Sequence, residues 1–170
     1  KFYEDKNQLD IIYNNNNSRL LIFDSLLDAL KINMINASKN KNTVTNSYGI
    51  TGCLTVIDSQ IKDITIRAKN FFCEDTLNFI RSEGSIKNIS IKESFSDSLD
   101  MDFSKISIKQ LEIANSKNDC ADFSYGNYVI NEALLSNCGD KGISVGEKSN
   151  LKVVNLVVEN SIIGLSSKDS

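Results

Sequence analysis

The side chains best equipped to do chemistry in this chain are aspartates, and they recur at a fixed step. Asp75, Asp97 and Asp119 lie 22 residues apart, as do Asp100 and Asp122, while Asp102 sits two residues beyond Asp100. Side chains that recur at a constant step in a repeating fold stack in columns. One column reads Asn78, Asp100, Asp122, Ser144, Ser166, and a second reads Ile80, Asp102, Ser124, Gly146, Lys168. A third reads Asp75, Asp97, Asp119, Lys141, Ile163. If successive repeats pair as strands, Asp100 and Asp102 share a face at ~7 Å, with Asp122 one repeat away at ~5 Å. Arg81, Ser124, Ser144, Glu147, Lys168 and Asp169 fall on or beside this patch.

Stacked carboxylates repel one another and raise each other's pKa, so something must offset that cost. Three chemistries would do so. A calcium ion bridging Asp100, Asp102 and Asp122 would satisfy hard oxygen ligands. A pair of carboxyls could serve as acid and base on a glycosidic bond, with Arg81, Ser124, Ser144 and Glu147 holding the sugar and Lys168 as a further catalytic candidate. Alternatively, Arg81 and Lys168 simply neutralise a solvated face. The Asp75–Asp97–Asp119 column precedes a strand in each repeat, where aspartate commonly accepts hydrogen bonds from its own turn. Lys141 continues that column and is placed to pair with Asp119, while Gly139 and Gly142 displace Asp140 by one residue.

Composition removes several alternatives. The 170 residues contain no His, which excludes His-dependent nucleophiles, His-ligated zinc and a His general base. With 22 acids against 19 bases the formal charge is −3, which argues against a nucleic-acid partner. No apolar run reaches the ~18 residues of a membrane span. Cys53, Cys73, Cys120 and Cys138 show no metal-ligand spacing and are expected to be small buried thiols.

The elements that position the aspartates follow from the apolar pattern. Apolar residues at i, i+3 and i+5 with a small residue at i+8 occur at Ile86/Ile89/Ile91/Ser94 and Ile108/Leu111/Ile113/Ser116. They recur at Ile130/Ala133/Leu135/Cys138 and Val153/Leu156/Val158/Ser161. Upstream, Ile61/Ile64/Ile66 with Lys69 fits, and Ile32/Ile35/Ala37 fits loosely, giving about six units. A second apolar pair marches with them: Leu54/Val56, Leu77/Phe79, Leu99/Met101, Ala121/Phe123, Ile143/Val145 and Leu165/Ser167. These pairs alternate with polar residues at period two, as strands do, and no unit holds ten residues of helical periodicity. A ~22-residue unit of short strands cannot bury its own apolar face, and stacking the units creates one continuous core.

This ladder pattern resembles the right-handed parallel β-helix of the pectin-lyase-like superfamily, well over residues 50–170 and loosely over 18–50. The stretch from Gly139 to Glu147, following Asn118 to Ser124, resembles runs in uncharacterised bacterial β-helix repeat proteins. A leucine-rich repeat has a similar apolar spacing, but Ser or Cys here stands where it would carry Asn, and Ile and Val dominate the core. The resemblance implies an all-β right-handed parallel β-helix at the cell surface or outside the cell. It also implies a polysaccharide or glycan partner. The superfamily's hydrolases carry a Gly-His-Gly element that this chain lacks. Its calcium-dependent lyases use a Lys or Arg base, a part that Arg81, Lys141 or Lys168 matches by position alone.

Residues 1–50 are expected to form irregular first coils and 51–170 regular ones, in a single domain that continues into a longer chain. Asp24 to Leu30 reads equally as a helical turn or a strand. The polar stretch from Ser38 to Gly49 exceeds the length of its later counterparts and should bulge as a loop beside the solenoid. Phe71, Phe72, Phe79, Phe95, Phe103 and Phe123 are expected in or against the core. The functional expectation is a surface module that binds a glycan or serves as a rigid rod, with calcium as the one cofactor to test. A polysaccharide lyase or hydrolase is the alternative.

Overall fold

The computed structural model describes residues 1–39 and 49–168. It is a parallel β-solenoid of about seven turns, 73% strand. The strands are β1 (Phe2–Tyr3), β2 (Gln8–Tyr13), β3 (Leu20–Phe23), β4 (Leu26–Asp28), β5 (Lys31–Asn36), β6 (Gly52–Ile57) and β7 (Gln60–Phe71). They continue as β8 (Asp75–Ile80), β9 (Glu83–Ser94), β10 (Asp97–Asp102), β11 (Lys105–Ser116), β12 (Ala121–Ser124), β13 (Asn127–Val145) and β14 (Asn150–Ser167). The segment from Asp24 to Leu30 holds strand β4, and the bulk of the expected loop, residues 40–48, lies outside the described residues.

Each regular coil has three faces. Face 1 stacks β3, β6, β8, β10 and β12, then the ends of β13 and β14, in parallel register. Faces 2 and 3 are the two legs of one long strand (β7, β9, β11, β13, β14), bent where two successive residues point outward. In β11 the bend falls between the buried Ile108 and Leu111. One core fills the interior, with Ile89, Ile91, Ile113, Leu77, Leu99 and Phe79 all at 0% exposure.

The apolar ladder runs as expected from Ile86 onward, but the upstream register differs. Ile64, not Ile61, pairs with Ile86, followed by Ile66 with Ile89, Ala68 with Ile91 and Phe71 with Ser94. Ile61 pairs with Gly84 instead, and compensating irregularities on either side of Ile64, next to Asp63 at φ 51, leave the register unchanged beyond it. Ile32 pairs with Ile66, so Met34 follows it into the core while Ile35 points outward. β2 adds the further coil that the apolar pattern missed.

The cysteines are not free thiols. Cys53–Cys73 and Cys120–Cys138 are disulfides with Cα separations of 5.6 and 5.4 Å. Both close the corner where face 3 returns to face 1, so each ties a coil to itself. Apolar patterning could not expose this, because a buried thiol and a buried disulfide occupy the same ladder position.

The opposite corner, between faces 1 and 2, is held by a serine ladder. Ser25, Ser59, Ser82, Ser104 and Ser149 each donate a hydroxyl proton to the carbonyl two residues back. The hydroxyls of Ser59, Ser82 and Ser104 also accept the backbone N–H of the preceding serine. At the next coil the position is Gly126, and the Tyr128 hydroxyl fills it, accepting the Ser104 N–H and donating to Met101 O or Ser124 O at 2.9 Å. A Cβ on Gly126 would lie 2.3 Å from that hydroxyl and 2.4 Å from Ser104 O, so tyrosine and glycine are a matched substitution.

Candidate functional site

Face 1 carries the acidic columns in the expected register. Asn78 pairs with Asp100, Asp100 with Asp122, Asp122 with Ser144, and Ser144 with Ser166. Thr55 extends the column one coil earlier, in register with Asn78. The second column is equally direct, with Ile80, Asp102 and Ser124 in line. All these side chains alternate with core residues and so leave the solenoid outward.

Outward does not mean exposed. Thr55, Asn78, Asp75, Asp119 and Ser144 are each 1–4% exposed, and Asp97, Asp100, Asp102, Asp122 and Ser124 are half-buried. Outward residues of faces 2 and 3, such as Lys105, Ser107, Lys109 and Glu112, are exposed. Face 1 is therefore a recessed strip. Phe72 and Phe95 lie at one corner with ring centroids 6.2 Å apart, and Phe103 stacks on Tyr125 at the other at 4.7 Å. Phe71, Phe79 and Phe123 are buried as expected, but Phe95 and Phe103 are 42% and 55% exposed. Phe103 and Tyr125 occupy the left-handed corner position of their coils (φ 51 and 49), which turns their side chains away from the core.

Within the strip, polar groups link from coil to coil. Asn78 Nδ2 donates to Asp100 Oδ2 and Thr51 Oγ1, both at 3.0 Å. Asp97 Oδ1 accepts the Asp119 N–H at 2.7 Å and Asn118 Nδ2 at 2.8 Å, and Asp119 Oδ1 accepts the Lys141 N–H at 2.9 Å. These aspartates thus cap the backbone of the following coil rather than their own turns. Lys141 pairs with Asp119 at 3.3 Å, as expected, and also with Asp140. Thr55 Oγ1, Asn78 Oδ1 and Asp122 Oδ1 are buried without a hydrogen-bond partner.

Burial sets the protonation chemistry. It pushes the Asp75 carboxyl up to about 7, against a hydrogen bond from Thr51 that favours the charged form. Burial likewise lifts Asp97 to about 6, opposed by the Asp119 N–H. Asp100 is held well above the ordinary carboxylate range, first by burial and then by the charges of Asp75, Asp102 and Asp122. Asp100 and Asp102 share a hydrogen bond between their carboxyls, which favours a proton on Asp100 and charge on Asp102. Asp102 is also raised, by burial and then the Glu147 charge. Asp122 is raised by burial and by Asp119, with the Lys168 charge and a Ser144 hydrogen bond pulling it back.

The remaining sequence candidates divide. Glu147 and Lys168 are exposed beside the strip and act on it by charge, while Ser124 lies half-buried in the second column. Ser144 is in the column but 1% exposed, so it supports Asp122 instead of meeting a ligand. Arg81 does not neutralise the strip. Its guanidinium is committed to Asp58 through hydrogen bonds of 2.7 and 2.8 Å. Asp169 lies outside the described residues.

The calcium reading does not fit this donor set. No group of three or more His, Cys, Asp or Glu side chains among the described residues is gathered to hold a metal ion. Asp100 is turned toward Asn78 and Asp102, and Asp122 Oδ1 is buried. Sequence reasoning also missed Thr51, Thr55 and Tyr125. The 22-residue step from Phe103 to Tyr125 was the available signal for the last of these. No family model, curated protein or solved structure matches the chain.

Proposed function

We propose that this protein is a non-catalytic glycan-binding module in which face 1 holds the sugar chain along the solenoid axis. The observation that carries this reading is the acceptor surplus of a recessed, regularly stepped strip. The amide and carboxyl oxygens of Asn78, Asp100 and Asp122 step along three successive coils at ~4.8 Å, about the length of a sugar ring. Asp97, Asp100, Asp102 and Asp122 are half-buried, so their carboxyls keep part of their acceptor surface open along the strip. Such a strip wants a ligand rich in hydrogen-bond donors, which sugar hydroxyls and amines supply. Its charge disfavours uronate polymers and favours neutral or amino sugars. The exposed edges of Phe103 and Tyr125 border the strip and add apolar contact.

The module belongs outside the cell or at its surface, a placement supported by two disulfides in so short a chain. The test is affinity electrophoresis through gels containing chitosan, a neutral glucan or polygalacturonate. Retardation by chitosan or the glucan, reduced in Asp100→Asn/Asp122→Asn, supports the reading. A rod without ligand function would run unretarded in all three gels.

A second reading rests on the placement of three carboxyls, Asp100 two residues from Asp102 and one coil from Asp122, with burial holding Asp100 above the ordinary carboxylate range. That arrangement is a general acid with carboxylates nearby, and it would make the protein a polysaccharide hydrolase. New reducing ends on incubation with the retarding glycan, lost in Asp100→Asn, would favour it over the module.

A further inference from the structure

Basic side chains gather on face 3 in the interior of the stack, with β2 and β5 on one side and β11, β13 and β14 on the other. Arg67 and Lys69 leave β7 outward, and Ser90 and Lys92 of β9 stand in register with them. Three cations and a hydroxyl thus mark the corners of a rectangle of ~4.8 by ~7 Å. At the bend beside it Lys87 and Lys109 form a second stacked pair, between the register pairs Ile86–Ile108 and Asn88–Gln110. The formal charge of −3 is an average that conceals this basic face.

Like charges stacked on neighbouring strands repel, and the nearby acids do not relieve them. Asp10 accepts from Gln8 and Asn33, and Asp63 accepts from Ser85. Glu112 reaches Lys92 at 3.5 Å, in a half-exposed ion pair of the weak kind. Glu93 stands at the corner that follows, with φ 65. Among the described residues, no carboxylate lies within ion-pairing distance of Arg67 or Lys69. The half-buried Ser90 hydroxyl has no hydrogen-bond partner among them either. A recess of about 610 Å³ opens over these groups, with Asn33, Ile35, Arg67, Lys69, Ser90 and Lys92 in its walls.

We propose that this recess grips the sulfate or phosphate esters of an acidic glycan, a second ligand independent of the one on face 1. A monoester of either kind presents three terminal oxygens, enough for a guanidinium fork, two ammonium groups and a hydroxyl to share. A carboxylate presents two and leaves cations unmet. Ile35 is 44% exposed, stands in register with Lys69 and supplies apolar surface for the sugar ring that carries the ester. Lys87 and Lys92 are five residues apart on β9, a reach of up to ~17 Å. Esters repeated along a polymer meet both stacked pairs at once, which favours a polymer over a free ion.

Chromatography of the 170-residue chain at pH 7 in low salt, on dextran sulfate, phosphocellulose, carboxymethyl cellulose and plain dextran, tests this. Retention is expected on dextran sulfate or phosphocellulose, with elution at higher salt than from carboxymethyl cellulose, and none on plain dextran. Arg67→Gln/Lys69→Gln/Lys92→Gln should flow through. Lys105→Gln/Lys117→Gln/Lys152→Gln removes the same number of charges elsewhere and should stay bound. All six positions are exposed, and an unchanged melting temperature verifies the fold in each variant. Asp100→Asn/Asp122→Asn should also stay bound, which separates this site from the strip on face 1. A parent chain that flows through every resin, or elutes from carboxymethyl cellulose at the same salt, would overturn the proposal. So would equal loss in the two lysine-containing triple variants. Phosphatidylglycerol vesicles or duplex DNA holding the protein where the esterified glycans do not would overturn it as well.

Discussion

The buried carboxyls of face 1 make stability depend on pH in a direction opposite to that of ordinary surface aspartates. Asp75 is raised to about 7 and Asp97 to about 6, so the folded chain binds protons that the unfolded chain, with carboxyls near ~3.9, has released. Stability from these groups is fully present below ~4 and is lost as pH rises through 6 and 7. The melting temperature should therefore be higher at pH 5 than at pH 8. Asp75→Asn should flatten that dependence and raise stability at pH 8. A melting temperature that climbs from pH 5 to pH 8 would show that these carboxyls are ionised and well solvated. The Asp58–Arg81 pair works the other way, because the guanidinium lowers the Asp58 pKa and its contribution fades only in acid.

The elements are fixed at their corners. Ser82 is 0% exposed and both donates and accepts in the serine ladder, so Ser82→Ala strands the Ser59 N–H and should cost about 1–3 kcal/mol in urea denaturation. Tyr128→Phe should cost a similar ~1–3 kcal/mol, because no serine at position 126 can replace the lost hydroxyl. A loss under ~0.5 kcal/mol in either variant would mean water takes the vacated place.

At the other corner each disulfide closes a loop of about 20 residues and contributes about 3 kcal/mol. Reduction should lower the urea midpoint markedly, and equal midpoints with and without reductant would contradict the pairing. The strands themselves were legible because Ile, Leu and Val repeat at a strict step from Ile86 onward. The slip at Ile61 arose because three isoleucines two or three residues apart look alike in any register, and Ile61 in fact pairs with Gly84, which carries no apolar side chain to mark the step. The corners were illegible for a different reason. Serine in a turn looks like solvent-facing polarity until the coil-to-coil hydrogen bonds are seen.

At the scale of the whole molecule, the constant step translated directly into geometry. Asn78, Asp100, Asp122 and Ser144 stack as their spacing implied. Spacing could not reveal how deeply they stack. The recess of face 1 depends on corner conformations, which decide that Phe103 and Tyr125 stand outside while Asn78 and Ser144 are covered. It also could not reveal that Arg81 belongs to Asp58, since that contact runs along a corner and not along a face.

On the proposed reading, the recessed acidic strip of face 1 is a track along which an extended polymer lies without the protein closing around it. Backbone amide NMR during titration with chitosan oligomers at pH 6 tests this most directly. We expect shifts confined to β8, β10, β12 and the Phe103 and Tyr125 corner, growing with oligomer length and absent in Asp100→Asn/Asp122→Asn. Shifts scattered over faces 2 and 3, or unchanged in the double variant, would contradict a glycan site on face 1.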